Sequence, residues 1–219
     1  MRILLIGSTG RTGRHVLAQG IERGHEITAF ARRPELLPHM PKLAGVQQGD
    51  AHDLEAVRTA VSGQDAVIAA VGGSRIADNL ITAMPEAGVS RLVMTSSRSV
   101  PATRPRLAVT LAWLFFRQAY VDLARAEGML QVSGLDWTIA RATMLTDKPA
   151  AGRVHVDFED NATGGAMQLS RADYAMTLLD VVEDSELIGK ALGICGPKGK
   201  VSPARRTLRG STVDVDDSG

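Results

Sequence analysis

GSTGRTG, residues 7–13, follows the apolar run Ile3-Leu4-Leu5-Ile6 and precedes a segment with Val16, Leu17 and Ile21 on one helical face. The order is strand, glycine turn, helix, with glycines at 7, 10 and 13. Such a turn needs residues without a Cβ, because its backbone bends sharply and lies close to whatever it holds. The amides that open the next helix point out of the turn and carry the positive end of the helix dipole, which suits a pyrophosphate. The spacing is G-x-x-G-x-x-G rather than the G-x-G-x-x-G of the standard dinucleotide fingerprint, but the strand before it and the helix after it give the triplet its meaning.

The segments beyond the turn repeat its alternation. Gly24 closes the first helix and Glu26–Ala31 reads as the second strand, ending in Arg32-Arg33-Pro34. An acidic residue near this point binds the ribose hydroxyls of NAD; here no acid stands between Ile27 and Pro34. The two guanidinium groups suit the 2′-phosphate of NADP, and the alternative is a solvated basic loop. A third strand ends in Gly49-Asp50, and a helix over 53–61 carries Leu54, Val57 and Val61 at helical spacing. Residues 65–71, DAVIAAV, form a continuous apolar run expected of a buried central strand, followed by Gly72-Gly73. A helix over 75–87 and a strand from 91 ending in Thr95-Ser96-Ser97 complete the alternation. The pattern predicts an α/β fold: right-handed βαβ units in a doubly wound, Rossmann-type parallel sheet with helices on both faces, with ligands beyond the carboxyl ends of the strands.

The second half is less regular. Residues 104–132 read as one long helix whose first half, LAVTLAWLFF, is apolar nearly all round. Such a helix is expected in the core or at an interface, ahead of a substrate wall. Strands follow at 135–141 and 191–195, with a short edge strand at 154–156 and a helix over 171–182 capped by Ser170. One domain over 1–196 is expected, with a small substrate region at about 98–170. The tail, 197–219, turns from basic to acidic with no helical or strand period. Removing everything after Lys198 is expected to leave fold and cofactor binding intact; a large loss of thermal stability on truncation would show that the tail packs.

Composition narrows the setting. The chain has 219 residues, 44% of them hydrophobic, and a net charge of +1, so nothing in its charge calls for nucleic acid. The one cysteine, Cys195, allows no intrachain disulfide and reads as a small buried apolar residue, which points to the cytoplasm. A strand begins at once, so no secretory leader is expected, and Leu107–Phe116 is too short to span a bilayer, so no membrane partner is expected. His52 and His155 stand isolated, and no metal-ligand set is read.

Taken together, GSTGRTG, the ARRP turn, the GD at 49–50, SGQDAVIAAVGG at 62–73, MTSS at 94–97, SGLDWTIAR at 133–141 and SRADYA at 170–175 resemble the atypical short-chain dehydrogenase/reductases. Within these the chain is similar to the NAD(P)H-binding, NmrA-like proteins, and among them to the biliverdin-IXβ reductase/flavin reductase type. The resemblance covers about residues 1–195. It implies that Gly7, Thr9, Gly10, Arg11, Thr12 and Gly13 form the phosphate turn, that Arg32, with Arg33 beside it, meets the adenosine 2′-phosphate, and that Asp50 and Ala51 contact the adenine. It further implies that Val71, Gly72 and Gly73 run along the cofactor, that Thr95, Ser96 and Ser97 lie near the nicotinamide, and that Arg141, Ala142, Thr143 and Met144 form the loop under it. Ala142 stands where the family usually has proline, and Ser97 falls on its active-site serine.

Many short-chain reductases pair a tyrosine with a lysine four residues on, whose ammonium lowers the phenol pKa. Here Tyr120 is followed at that spacing by Ala124, and residues 104–132 contain no lysine. The family alignment places the tyrosine position near Ala119. Ser97 and Tyr120 are the candidate catalytic residues. The expectation is an NADPH-dependent reductase, monomer or homodimer, that transfers hydride to a conjugated small molecule such as a flavin, quinone or tetrapyrrole. NADPH is expected to be preferred over NADH. The alternative is an NADP(H)-sensing regulatory protein without turnover, which the missing dyad favours.

Overall fold

The structure is a computed structural model, and it describes residues 1–103, 106–161 and 164–198. The described chain runs β1 (Arg2–Ile6), α1 (Arg11–Glu22), β2 (Glu26–Ala31), β3 (Gly45–Gln48), α2 (Leu54–Val61), β4 (Ala66–Ala69), α3 (Ser74–Glu86) and β5 (Arg91–Ser97). It continues through α4 (Arg106–Gln131), β6 (Asp136–Ala142), β7 (Met144–Thr146), β8 (His155–Asp157), β9 (Gln168–Ser170), α5 (Arg171–Glu183) and β10 (Lys190–Cys195). Most of the 197–219 tail lies outside the described residues.

Eight strands form one sheet in the order β3-β2-β1-β4-β5-β6-β10-β8. Every pairing in it is parallel except β10 with β8. The Rossmann-type doubly wound fold is therefore present, and the order reverses between β1 and β4, where such sheets open a crevice beyond their carboxyl ends. Alternate residues of the central strands point to opposite faces, and each face is apolar. Leu4, Ile6, Val67 and Leu92 pack under α2, α3 and the second half of α4. Ile3, Leu5, Ile68 and Val93 pack under α1 and α5. Arg91 is buried between the end of α5 and the start of β6: its Nη2 donates to Val181 O of α5 at 2.5 Å and its Nη1 to Asp136 O of β6 at 2.7 Å. Desolvation holds its pKa below the ordinary arginine value, and the carbonyls at the helix C-terminus are the natural partners of a cation.

The local signals hold in detail. Gly24 takes φ +83° after α1, and Ser170 caps α5 by accepting from Ala172 N. Cys195 is free and buried. The strand expected at 154–156 is an edge strand, β8, running antiparallel to β10. Two short strands escaped the sequence reading: β7 and β9 pair in parallel as a separate ribbon beside the carboxyl ends of the sheet.

Of the placements expected for the apolar first half of α4, core or interface, the structure excludes the core. Leu107, Leu114 and Phe115 are 75%, 73% and 76% exposed. The helix breaks at Phe116 (φ −118°, ψ 20°), and only the part beyond that kink brings Ala126, Glu127 and Leu130 down onto the sheet. Periodicity reports that a face is apolar; the kink lifts this one away from the sheet.

Candidate functional site

The site is built around the turn between β1 and α1. Gly7 sits at φ +82°, a conformation that side chains with a Cβ resist, and its carbonyl accepts from Gly10 N at 3.0 Å. A Cβ on Gly13 would stand 2.1 Å from Gly7 O, so this glycine lets the helix start directly beneath the turn. The N-cap, Gly10, is extended and offers no side-chain bond to the helix, and the first turn of α1 carries no acid. The amides of Arg11, Thr12 and Gly13 thus open toward the crevice without a capping side chain, at the positive end of the dipole. These residues fit a pyrophosphate by backbone geometry alone.

The neighbouring strand ends converge on the same edge. Ser8 Oγ donates to Phe30 O at 3.0 Å, tying the turn to β2 just before Arg32 and Arg33. Both arginines are exposed, and the Arg32 charge is close enough to act on Asp50. Asp50 Oδ1 accepts from His52 N at 3.0 Å and from His52 Nδ1 at 2.9 Å. The His52 amide and ring, and then Arg32, hold the Asp50 carboxyl below its ordinary range, so it is an acceptor at neutral pH. His52 is thus a surface residue, as expected, and is partnered with Asp50. Ala51 is buried, and its carbonyl accepts from Asn79 Nδ2 at 2.9 Å.

Beyond β4, Val71 is 40% exposed and lies against Gly7, where a Cβ on the glycine would meet its Cγ1 at 3.3 Å. A Cβ on Gly72 would come within 2.5 Å of Thr95 O, so the β4 loop can lie flat against the end of β5 only as glycine. Ser74, after Gly73, gives its amide to Asp122 of α4 at 3.2 Å and its hydroxyl to the same oxygen. Asp122 therefore fastens the start of α3 to α4.

At the end of β5 the three residues divide. Ser97 Oγ accepts from Ser99 N at 3.2 Å, and Ser99 O accepts from Trp113 Nε1 at 3.0 Å. Ser96 is turned away from the crevice, its hydroxyl donating to Glu127 Oε1 at 2.5 Å. Arg141 is turned the same way, with Nη2 on Glu127 Oε2 at 2.6 Å and Nε on both oxygens at 3.2 Å. Any contact these two make with a cofactor falls to their backbones. Ala142 is buried, Thr143 N donates to Ile194 O, and Met144 N donates to Met167 O, so β6 runs straight into the β7–β9 ribbon. Tyr120 is half-buried, with its ring 5.5 Å from Trp113 and 6.0 Å from Phe116, while Ala119 is exposed.

Three polar residues were missed. Glu127 was signalled: it lies among Leu123, Ala126 and Leu130 on an otherwise apolar helix face, where a lone acid needs a partner. Arg14 reaches back with Nε to Thr9 O at 3.2 Å and with Nη2 to Leu36 O at 3.0 Å, bracing the phosphate turn against the arginine loop. Asp147, just after β7, joins Arg11 (3.2 Å) and Arg171 (2.7 Å) across 136 and 24 residues of chain, which no local pattern reveals. Among the described residues no cluster of His, Cys, Asp and Glu could hold a metal.

The NAD(P)H-binding family matches residues 7–185. The chain belongs to that family. Its match begins at Gly7, the first residue of the turn, and runs past the end of α5, so it takes in the carboxyl ends of β1 to β6. A 3-beta-hydroxysteroid dehydrogenase of Mycolicibacterium neoaurum is 37% identical over 120 residues, which is 45% of this chain and 32% of that protein. The chain thus aligns with about a third of the length of such relatives. The structure of ChuY, an anaerobillin reductase from Escherichia coli O157:H7, superposes with a TM-score of 0.80 at 24% identity, over 93% of this chain and 100% of the other. A short-chain dehydrogenase/reductase of Veillonella parvula DSM 2008, solved in complex with NADP, has a TM-score of 0.80 at 18% identity over 90% of this chain and 95% of the other. The NAD(P)H-binding family expected from the motifs is thus borne out, and these two structures share the fold of the chain.

Proposed function

We propose that the protein is an NADPH-dependent reductase that passes hydride to a conjugated acceptor such as a flavin, a quinone or a tetrapyrrole, without a Tyr-Lys dyad. The observation that carries this reading is the inward face of α4. It carries Tyr120, whose ring packs against Trp113, yet the helix contains no lysine and Ala124 stands where the ammonium would be. Names among the relatives, an anaerobillin reductase and isoflavone reductase homologues, lend support to an acceptor of this class.

In this reading Gly7, Thr9, Gly10, Arg11, Thr12 and Gly13 hold the pyrophosphate through backbone amides. Arg32 and Arg33 meet the 2′-phosphate, which gives NADPH its advantage over NADH. The ionised Asp50 and the backbone of Ala51 receive the adenine edge. Val71, Gly72, Gly73, Thr95 and the backbones of Ser96 and Arg141–Met144 line the path to the nicotinamide. Bound NADPH supplies the hydride. Ser97 orients the acceptor, and the product anion takes its proton from water, so orientation rather than acid strength is the protein's task. The single buried cysteine fits a reducing, cytoplasmic setting.

Steady-state NADPH oxidation with a flavin tests the assignment. With Ala124 where the family's lysine would stand, Tyr120 lacks the partner that would make it the acid, so Tyr120→Phe is expected to change turnover only a few fold. A true general acid contributes roughly a hundredfold or more, and a loss of that size would restore tyrosine to the role. Ser97→Ala is expected to reduce turnover moderately, because it removes the hydroxyl and also frees Ser99, to which Trp113 is tied. If the wild type oxidises no NADPH with flavins, quinones or tetrapyrroles, the NADP(H)-sensing reading, which the missing dyad also favours, takes its place.

A further inference from the structure

SRADYA, residues 170–175, carries the chain from β9 into α5, and both of its charged side chains hold one loop. Parallel pairing sets Thr146, the last residue of β7, beside Ser170, so Asp147 follows in register with Arg171. Arg171 Nη1 donates to Asp147 Oδ1 at 2.7 Å. Asp173, 1% exposed, accepts from the amides of Ala151 and Gly152, both at 2.8 Å. The loop that begins at Asp147 is thus fixed at two points to the first turn of α5 by charge-assisted hydrogen bonds.

The other carboxylate oxygen of Asp147, Oδ2, takes Arg11 Nη1 at 3.2 Å. Arg11 is the first residue of α1, directly after its N-cap Gly10. Its side chain is 72% exposed, and among the described residues Asp147 is its one partner. On a guanidinium Nη1 lies on the Cδ side, and Nε and Nη2 form the lateral fork that takes two oxygens of one phosphate. Asp147 therefore holds the far nitrogen of Arg11 and leaves the fork free. An exposed arginine ordinarily samples many rotamers, and ordering it on binding costs affinity. Here Arg171, only 11% exposed, holds Asp147, and Asp147 holds Arg11. Two guanidinium groups and one carboxylate leave the group one positive charge, at the helix end whose amides already suit an anion. An exposed ion pair adds little to fold stability, so a placed guanidinium is what this arrangement provides.

We propose that the Arg11 side chain binds the cofactor pyrophosphate and that Asp147 is the positioning residue that presents it, with Arg171 as the anchor. This rests on the reading that the glycine turn holds the pyrophosphate, and it adds to the backbone amides a clamp carried by the loop after β7. It is independent of which acceptor takes the hydride.

Titration calorimetry with NADPH, NADH and adenosine 2′-phosphate tests it. The two dinucleotides carry the pyrophosphate and the third ligand does not. Arg11→Ala is expected to weaken NADPH and NADH alike by about tenfold and to leave adenosine 2′-phosphate nearly unchanged. Asp147→Asn keeps the shape of the side chain and loses its charge, and is expected to weaken both dinucleotides by about fivefold, the upper end for an exposed ion pair. In the Arg11→Ala background the same substitution is expected to add less than about twofold, because Asp147 acts through Arg11. Both side chains are exposed, so the thermal midpoints are expected to stay at the wild-type value. Unchanged affinities in Arg11→Ala overturn the proposal, and a loss confined to NADPH does so by moving Arg11 to the 2′-phosphate. Additive losses in the double variant, or tighter binding by Asp147→Asn, overturn the role of Asp147: the first makes it a support of the loop alone, the second a competitor for Arg11. A wild type that binds neither dinucleotide removes the reading of the turn itself, and the clamp with it.

Discussion

Glu127→Ala is expected to lower the unfolding free energy by about 3–5 kcal/mol, the range for breaking a buried ion pair by removing one partner. The Glu127 and Arg141 side chains are 7% and 11% exposed. Glu127 takes bonds from Ser96 and from two nitrogens of Arg141, so its loss strips three donors at once. Among the described residues the guanidinium is left with Asp160 as its ion-pair partner, at 3.6 Å and largely exposed, which is a weak answer to a buried cation. For a chain of this size the thermal midpoint is expected to fall by roughly 6–20 °C. Glu127→Gln keeps an acceptor for Ser96 and loses the charge, so it is expected to fall between wild type and alanine. Urea and thermal unfolding of the three proteins measure this. A loss under about 1 kcal/mol for the alanine variant would mean that Arg141 swings out to water, as an exposed pair would allow.

Arg32→Ala is expected to weaken NADPH binding about ten- to a hundredfold, the 1.5–3 kcal/mol of a hydrogen bond to a charged group, and to leave NADH nearly unchanged. Selectivity enters because the two cofactors differ only in the 2′-phosphate, and a guanidinium at the end of β2 has no other group to distinguish. Arg32 is exposed and stands near Asp50, so its removal opens no cavity and its effect on fold stability is small. Arg33 begins the short turn Pro34–Leu36 that Arg14 braces from below, so it is the weaker candidate for a direct contact. Titration of both cofactors against tryptophan fluorescence, for wild type and variant, gives the comparison. Equal losses for NADPH and NADH would place Arg32 in the loop's structure instead of at the phosphate, and wild-type NADH binding as tight as NADPH would remove the basis for cofactor choice.

The sequence by itself determined the sheet and the turn. GSTGRTG between an apolar run and a helical stripe, and the apolar run at 65–71, are signals carried within a dozen residues of chain, where backbone geometry and side-chain periodicity act directly. The convergence of residues 7–13, 32–33, 50–51, 71–73 and 95–97 on one edge followed from parallel pairing, since every parallel strand delivers its carboxyl end to the same side. What lies in partnerships across long stretches of chain was left to the tertiary structure. Glu127 with Arg141 and Ser96, Asp122 with Ser74, and Asp147 with Arg11 and Arg171 join elements whose spacing in sequence carries no period. The pairing of β7 with β9 escaped because three-residue strands have too few side chains to show alternation. The sharpest division is within α4. Composition made its first half apolar, but whether an apolar face meets a core depends on what else packs there, and the kink at Phe116 carries Leu107–Phe115 away from the sheet while Ala126 and Leu130 stay on it.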